Sequence, residues 1–409
     1  MTARSNGESV QHVGRRRFLA RASAALGTLM ASVPAFAQQA PPDSTKVQGQ
    51  LPSELGGRSP FVALKRGPHF GFWSYTPLGD LDGMITPADL HFEVHHAGVS
   101  IIDPKSWTLT VSGLVDRPTV LTLADLLRMP STSRIVFLEC SANNPFAWTP
   151  GKPEDTAQSL AGLTSCSLWT GVAVSTILRE VGVKPAAKWA LAEGQDAAVM
   201  TRSIPIEKLM DDALIAYGQN SEPLRPAQGF PARLLLPGWE GNTNVKWLRR
   251  LELADGPFMH KEETASYTDP MPDGKSRQFT FVMDARSIIT QPSGGHVLPG
   301  RGFVEIRGLA WSGRGKITAV DVSTDGGKTW GRAMLDGPVL AMAHTRFRFP
   351  WRWEGEEAVL ESRAIDDTGD VQPTRQALVK VRGTASMYHY NGIQRWRVGR
   401  DGKVTNANA

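Results

Sequence analysis

The chain has 409 residues, 41% hydrophobic and 21% charged, a balance that describes soluble globular material sized for two or three domains. Its formal charge of +5 does not mark a polyanion-binding protein, because residues 1–37 hold five arginines against one glutamate and the remainder is nearly neutral. Beyond those residues no stretch approaches the roughly 18–20 uninterrupted apolar residues of a membrane span, so neither a nucleic-acid partner nor a membrane span is expected.

Residues 1–37 read as an address. Arg15-Arg16-Arg17-Phe18-Leu19 precedes a mildly apolar, Ala-rich segment, and Ala35-Phe36-Ala37 places small residues where a signal peptidase reads. These parts in this order resemble a twin-arginine export signal, whose route carries proteins already folded around a cofactor, and the expected location is the periplasm. Residues 38–88 are expected as an N-terminal extension. Its first part is rich in Gln, Pro, Ser and Gly, and an arm bearing Phe70, Phe72, Trp73 and Tyr75 is expected to pack on a neighbouring surface.

In the next segment Trp107–Gly113 alternates with period two and predicts a strand. Thr122 with Asp125 three residues on is an approximate capping box, and Pro130 lies beyond the short helix it starts. Then comes Arg134-Ile-Val-Phe-Leu-Glu-Cys-Ser-Ala-Asn-Asn-Pro145, a β-branched apolar run that stops in a polar turn with Cys140 at the changeover. A thiol at the end of a rigid element, facing a loop-built cavity, suits a nucleophile or a soft-metal ligand; a buried inert cysteine is the alternative. Val174, Ile177, Leu178 and Val181 have helical spacing that closes at Gly182, and Ser203–Met210 reads as a second helix with Pro205 in its first turn. Strands are expected over 232–236 and 245–253 around the Gly-rich loop Pro237-Gly-Trp-Glu-Gly-Asn-Thr-Asn244. Short helices and strands without βαβ regularity make residues 89–272 an α+β domain.

After Pro270-Met-Pro-Asp-Gly274 the pattern changes to short runs of strand character at 303–309, 317–323, 346–349, 357–363 and 378–381, with Asp325-Gly326-Gly327 as a hairpin signal. Residues 273–384 therefore predict an immunoglobulin-like β-sandwich, followed by a tail over 385–409. Arg346 and Arg348 share one face of their run, either as a solvated strand face or as a basic wall toward an anion.

Cys140 and Cys166 could close a disulfide in an oxidising compartment, although a chain of this size does not need one. No Cys-x-x-Cys-His is present, so no haem is expected in this chain, and the histidines, including His95-His96, lack zinc-site spacing. Arg233 and Lys246 stand near strand ends beside a Gly-rich loop, which suits a phosphate, while neither Gly-x-Gly-x-x-Gly nor a Walker motif offers a nucleotide.

Several segments resemble the sulfite oxidase family of molybdenum enzymes: the surroundings of Cys140, Ser165-Cys-Ser-Leu-Trp-Thr-Gly171, Glu222-Pro-Leu-Arg-Pro-Ala-Gln-Gly-Phe-Pro-Ala-Arg233 and Val245-Lys-Trp-Leu248. The last domain is similar to that family's dimerisation domain in Ile306-Arg-Gly-Leu-Ala-Trp-Ser312 and Asp321-Val-Ser-Thr-Asp-Gly-Gly-Lys-Thr-Trp330. Within the family, Phe137-Leu-Glu-Cys-Ser141 and Glu262–Gly274 resemble the sulfane dehydrogenase branch of the Sox sulfur-oxidation system.

The resemblance implies a molybdopterin-binding domain followed by the sandwich. It implies molybdenum held by a pyranopterin dithiolene, with Cys140 as the protein's thiolate ligand, Arg233 and Lys246 on the pterin phosphate, His96 on the cofactor side and Tyr267 as the active-site tyrosine. Cys166 is left structural. The implied partners are a c-type cytochrome that accepts electrons, a carrier protein bearing a cysteine persulfide, and a second copy joined through the last domain. Departures bear on the substrate: Val94 stands where an arginine is expected, and Asn144-Pro145 where sulfite oxidases of animals have paired arginines. The expected activity is oxidation of a persulfide's outer sulfur. The alternatives are a sulfite:cytochrome c oxidoreductase using His95, Arg346 or Arg348 for the missing arginines, and an inactive structural subunit of the same fold.

Overall fold

Two sheets carry the central domain of the computed structural model, which describes residues 56–67 and 69–408; residues 1–37, where an export signal is expected, and residues 38–55 of the expected extension lie outside the described residues. The chain from Leu64 onward is one unit. Its elements in order are β1 (Thr108–Gly113), β2 (Thr119–Thr122), α1 (Leu123–Arg128), β3 (Ser131–Glu139), α2 (Ala157–Ala161), β4 (Thr164–Ala173), α3 (Val174–Val181), β5 (Trp189–Gly194), β6 (Thr201–Pro205), α4 (Ile206–Asp211), β7 (Leu214–Gln219), β8 (Arg233–Leu235) and β9 (Leu248–Ala254). One sheet runs β2-β1-β9-β5-β6, with β9 parallel to β1 and the other pairs antiparallel. The other runs Glu222–Pro223, β7, β4, β3, with β8 also on β7.

The local signals at α1 are realised: Thr122 Oγ1 accepts from the Asp125 N–H, and the Asp125 carboxylate accepts from the Thr122 N–H. The second expected helix is corrected. Residues 201–205 pair with β5, and α4 starts only at Ile206, because the ladder with β5 holds Ser203 and Ile204 in extended backbone. Likewise Val245–Trp247 stays out of the predicted strand, with Trp247 at φ 52°.

The sandwich follows as β10 (Arg286–Gln291), β11 (Gly302–Trp311), β12 (Ile317–Ser323), β13 (Thr345–Trp353), β14 (Ala358–Asp366), α5 (Arg375–Arg382), β15 (Arg395–Val398) and β16 (Val404–Asn406). One sheet is β10-β11-β13 with Met334–Leu335 at its edge; the other is Gly331–Arg332, β12, β14, β15, β16. Its core includes Trp311, Phe347, Leu360 and Trp396 and takes in Ile135 and Phe137 of β3, so the edge strand that leads to Cys140 is sealed by the second domain. The Phe137 N–H donates to the Met342 carbonyl at 2.9 Å in the same seam.

Two expectations for this half are corrected. Residues 378–381, read as strand, lie in α5, because Thr374 caps its N-terminus through the Ala377 N–H and Leu378 turns onto Trp148 and Tyr390. The supposed tail 385–409 instead crosses back to the central domain and supplies β15 and the edge strand β16 of the second sheet. Arg348 pairs with Asp336 at 3.0 Å and Glu305 at 3.6 Å, and Arg346 donates to the Gly83 and Leu78 carbonyls, so their strand face is tied to neighbouring groups.

Candidate functional site

Cys140 begins the turn that follows β3. Its N–H donates to the Leu163 carbonyl at 2.9 Å, and its own carbonyl accepts from the Asn143 N–H at 2.8 Å. Both cysteines are free. Phe137 faces Cys166 across the β3–β4 register, so Cys166 stays inside the sheet while Cys140 lies just past the last paired residue, Glu139. Cys166 is fully buried, in keeping with a structural part.

Cys140, His96, Arg233, Lys246 and Tyr267 all line one cavity, together with the aromatic and apolar side chains of Phe92, Leu138 and Trp247. Burial pushes the Cys140 thiol up to about 12; Glu240 and Glu139 add to the shift, and the Ala142 N–H and Lys246 oppose it. A thiol this reluctant to ionise is inert by itself and becomes a ligand only when a cation displaces its proton. Among the described residues no three His, Cys, Asp or Glu side chains converge, so a metal here would arrive with ligands of its own.

Two cations face the same cavity. Arg233 is 3% exposed; it donates to the Gln228 carbonyl at 3.1 Å and the Asn244 carbonyl at 2.8 Å, and its guanidinium lies 5.2 Å from the Trp169 ring. Lys246 donates to the Val94 carbonyl at 2.9 Å, the Ala227 carbonyl at 3.1 Å and His95 Nδ1 at 2.8 Å. Neither makes an ion pair with a carboxylate among the described residues, and burial lowers both pKa values, that of Arg233 to about 9. Two buried, unneutralised cations are costly unless an anion joins them. Three lining residues also carry a buried polar atom without a partner: His91 Nε2, Arg233 Nε and Asn242 Oδ1. A cavity that offers one thiol, two unbalanced cations and unmet hydrogen-bonding atoms fits an anionic, polar ligand that brings a soft metal.

At the mouth the Tyr267 hydroxyl lies 2.8 Å from His96 Nε2. Burial raises the Tyr267 pKa well above the usual 10 and lowers that of His96, so the phenol keeps its proton and donates it to a neutral ring. Beneath the tyrosine, Arg202 lies 4.9 Å from the ring centre. It is fully buried and taken up by Glu263 at 2.8 Å and Glu240 at 3.0 Å, while Glu240 also meets His389 at 3.2 Å and Asn242 at 2.9 Å.

The groups invoked for the sulfite alternative supply no cation to the cavity. Arg346 and Arg348 do not line the cavity. His95 accepts from Lys246 and donates to Glu93 at 3.0 Å, and burial, with Lys246 beside it, lowers its pKa to about 3, so it is neutral. Sequence reasoning missed His91, Asn242 and Arg202. Asn242 lies inside the Gly-rich loop already singled out, whereas His91 and Arg202 follow no local pattern: His91 lies in a bend just before Glu93–Val94, and Arg202 reaches the site by pairing with β5.

His91 carries a stability consequence. Burial foremost, then Arg233 and Lys246, lower its pKa to about 3, against the Phe92 carbonyl 3.0 Å away. Its folded pKa lies below the unfolded value of about 6.5, so below that pH the unfolded chain binds the extra proton and stability falls by about 1.4 kcal/mol per pH unit until about pH 3. From pH 7.5 to 5 the cofactor-free parent is expected to lose about 2 kcal/mol more than a His91→Phe variant. Urea unfolding at both pH values measures this, and equal losses would refute a buried neutral His91.

Comparison with known proteins places this geometry. Residues 96–262 match the oxidoreductase molybdopterin-binding domain, and residues 277–395 match the Mo-co oxidoreductase dimerisation domain. The chain is 32% identical over 369 residues to a Brassica napus nitrate reductase [NADH], aligning 78% of this chain with 38% of that protein. It is 31% identical over 333 residues to mitochondrial sulfite oxidase of Mus musculus, aligning 75% of this chain with 60% of that protein. It thus spans about two fifths and three fifths of these relatives. The crystal structure of the sulfane dehydrogenase SoxCD from Paracoccus pantotrophus superposes with a TM-score of 0.82 at 43% identity, over 90% of this chain and 99% of that one. The two domain matches in order, the identity shared with a chain covered nearly end to end, and a cavity that joins one thiol to two buried cations show that this chain belongs to the sulfite oxidase family of molybdopterin-dependent oxidoreductases.

Proposed function

We propose that this chain is the molybdenum-bearing subunit of a periplasmic sulfane dehydrogenase, exported folded by the twin-arginine route. It oxidises the outer sulfur of a cysteine persulfide on a carrier protein and passes electrons to a separate c-type cytochrome, with two copies joined through the sandwich. The observation that carries this reading is the shortage of available cation where substrate would sit. Arg233 and Lys246 would be taken up by the anionic end of the cofactor, Arg202 is engaged by two glutamates, and His95 is neutral. The turn after Cys140 adds no cation: its Asn143 and Asn144 are buried and do not line the cavity. Free sulfite needs charge-assisted donors, whereas a persulfide held at the end of a carrier brings its binding energy from elsewhere.

When bound, the cofactor supplies two-electron oxygen transfer, so that each turn converts R–S–SH and water into R–S–SOH, two protons and two electrons. Cys140 offers the thiolate, and Arg233 with Lys246 would hold the anionic end of the cofactor. Tyr267 donates to His96 Nε2, which orients the phenol at the mouth. With cytochrome c as acceptor, kcat/KM on sulfur-loaded carrier is expected to exceed that on free sulfite by at least about a hundredfold, roughly 2.7 kcal/mol. Val94→Arg, which adds a guanidinium to the cavity wall, is expected to narrow that ratio about tenfold. Comparable turnover of both substrates by the parent enzyme would defeat the assignment.

A further inference from the structure

Glu139, the residue before Cys140, is 1% exposed. Its carboxylate receives Arg286 Nη1 at 2.7 Å and Trp311 Nε1 at 2.6 Å from the sandwich, and Asn143 Nδ2 at 2.9 Å from the turn itself. Arg286 Nη1 also donates to the Asn143 carbonyl at 3.1 Å, and its guanidinium lies 5.5 Å from the Trp311 ring centre. Asn143 completes the grip by donating to the Ala161 carbonyl and accepting from the Leu163 N–H, both at 3.0 Å. From the other side the His389 N–H donates to the Ser141 carbonyl at 2.8 Å, and Asn242 donates to Ser141 Oγ at 2.9 Å.

Glu139, Asn143, Arg286 and Trp311 do not line the cavity, yet together they bracket the one residue that would bind the metal. A thiol at the end of an edge strand has loop-like freedom unless its flanks are fixed, and a metal ligand has to be held within about 0.5 Å of its working position. Two separate domains supply the donors, so the bracket forms only when they are docked. We infer that Arg286, with Trp311, is a positioning residue for the Cys140 thiolate, and that the sandwich sets where this thiol points. The inference rests on Cys140 being the metal ligand.

The test compares the full-length parent with Arg286→Ala, Arg286→Lys and Trp311→Phe. Arg363→Ala serves as control, because it breaks the 2.9 Å pair with Asp321 inside the sandwich, away from the turn. In cofactor-free protein, iodoacetamide labelling of Cys140 is read by mass spectrometry with Cys166 as internal reference. Arg286→Ala is expected to speed labelling at least about tenfold and Trp311→Phe about threefold, with Arg286→Lys between Arg286→Ala and the parent and Arg363→Ala within about twofold of the parent. In metal-loaded protein the thiolate-to-metal charge-transfer band is expected to shift in Arg286→Ala and stay fixed in Arg363→Ala. Labelling of Arg286→Ala within twofold of the parent, or matched by Arg363→Ala at equal loss of melting temperature, would overturn the inference. Should Arg286→Ala not fold, Trp311→Phe, which keeps the ring and removes one donor, decides by the same comparison. The metal-ligand reading is judged separately: equal labelling of Cys140 in metal-loaded and cofactor-free parent would sink that reading, while the clasp is still read on cofactor-free protein.

Discussion

Cys140→Ala is expected to give a folded protein that retains well under stoichiometric molybdenum and turns over at least about a thousandfold more slowly, roughly 4 kcal/mol of lost transition-state stabilisation. The turn survives because its hydrogen bonds run through backbone atoms, Asn143 and Glu139, none of which needs the sulfur. Truncating one half-buried thiol costs about 1 kcal/mol of packing, so the melting temperature should move by only a few degrees. What is lost is the single thiol among the described cavity residues. Metal analysis of purified variant, set beside its thermal unfolding, checks this; a full complement of molybdenum would remove Cys140 from its assigned part.

Arg233→Gln is expected to separate cofactor retention from folding. The glutamine amide can still donate to one of the carbonyls, of Gln228 or Asn244, that the guanidinium now serves, but it removes a buried positive charge that has no carboxylate partner among the described residues. Burial that lowers the Arg233 pKa to about 9 marks that charge as unfavourable in the cofactor-free fold, so the cofactor-free variant should melt at or slightly above the parent temperature. Cofactor content after identical expression should fall at least about tenfold, because the anionic end loses a charge-assisted donor. Loss of more than about 3 kcal/mol in the cofactor-free state, with cofactor retained, would instead make Arg233 a structural residue.

How each of these residues could be found differs. Cys140 was legible because hydrophobic periodicity changes to turn chemistry at its position, and Arg233 and Lys246 because cations flank a Gly-rich loop. Arg202 directly precedes Ser203–Met210, the segment that reads as a helix; only its pairing with β5 turns it inward beneath Tyr267. Leu378–Val381 misled for a related reason, since β-branched residues describe a strand until a capping threonine and a packing partner make them a helix.

By itself the sequence determined the two-domain order, the sandwich that follows the α+β domain, and the five residues that share the cavity, because each depends on local patterning or on a recognisable motif. Only the tertiary structure decided what surrounds Cys140. Two of the donors on Glu139 come from Arg286 and Trp311, more than 140 residues away, and on the far side of the turn His389 comes from 385–409, a segment that reads as a tail. Tertiary structure also decided which cations are available, because a guanidinium or ammonium is free or occupied according to the carbonyls and carboxylates that folding brings to it. Those partners leave no spacing in the chain.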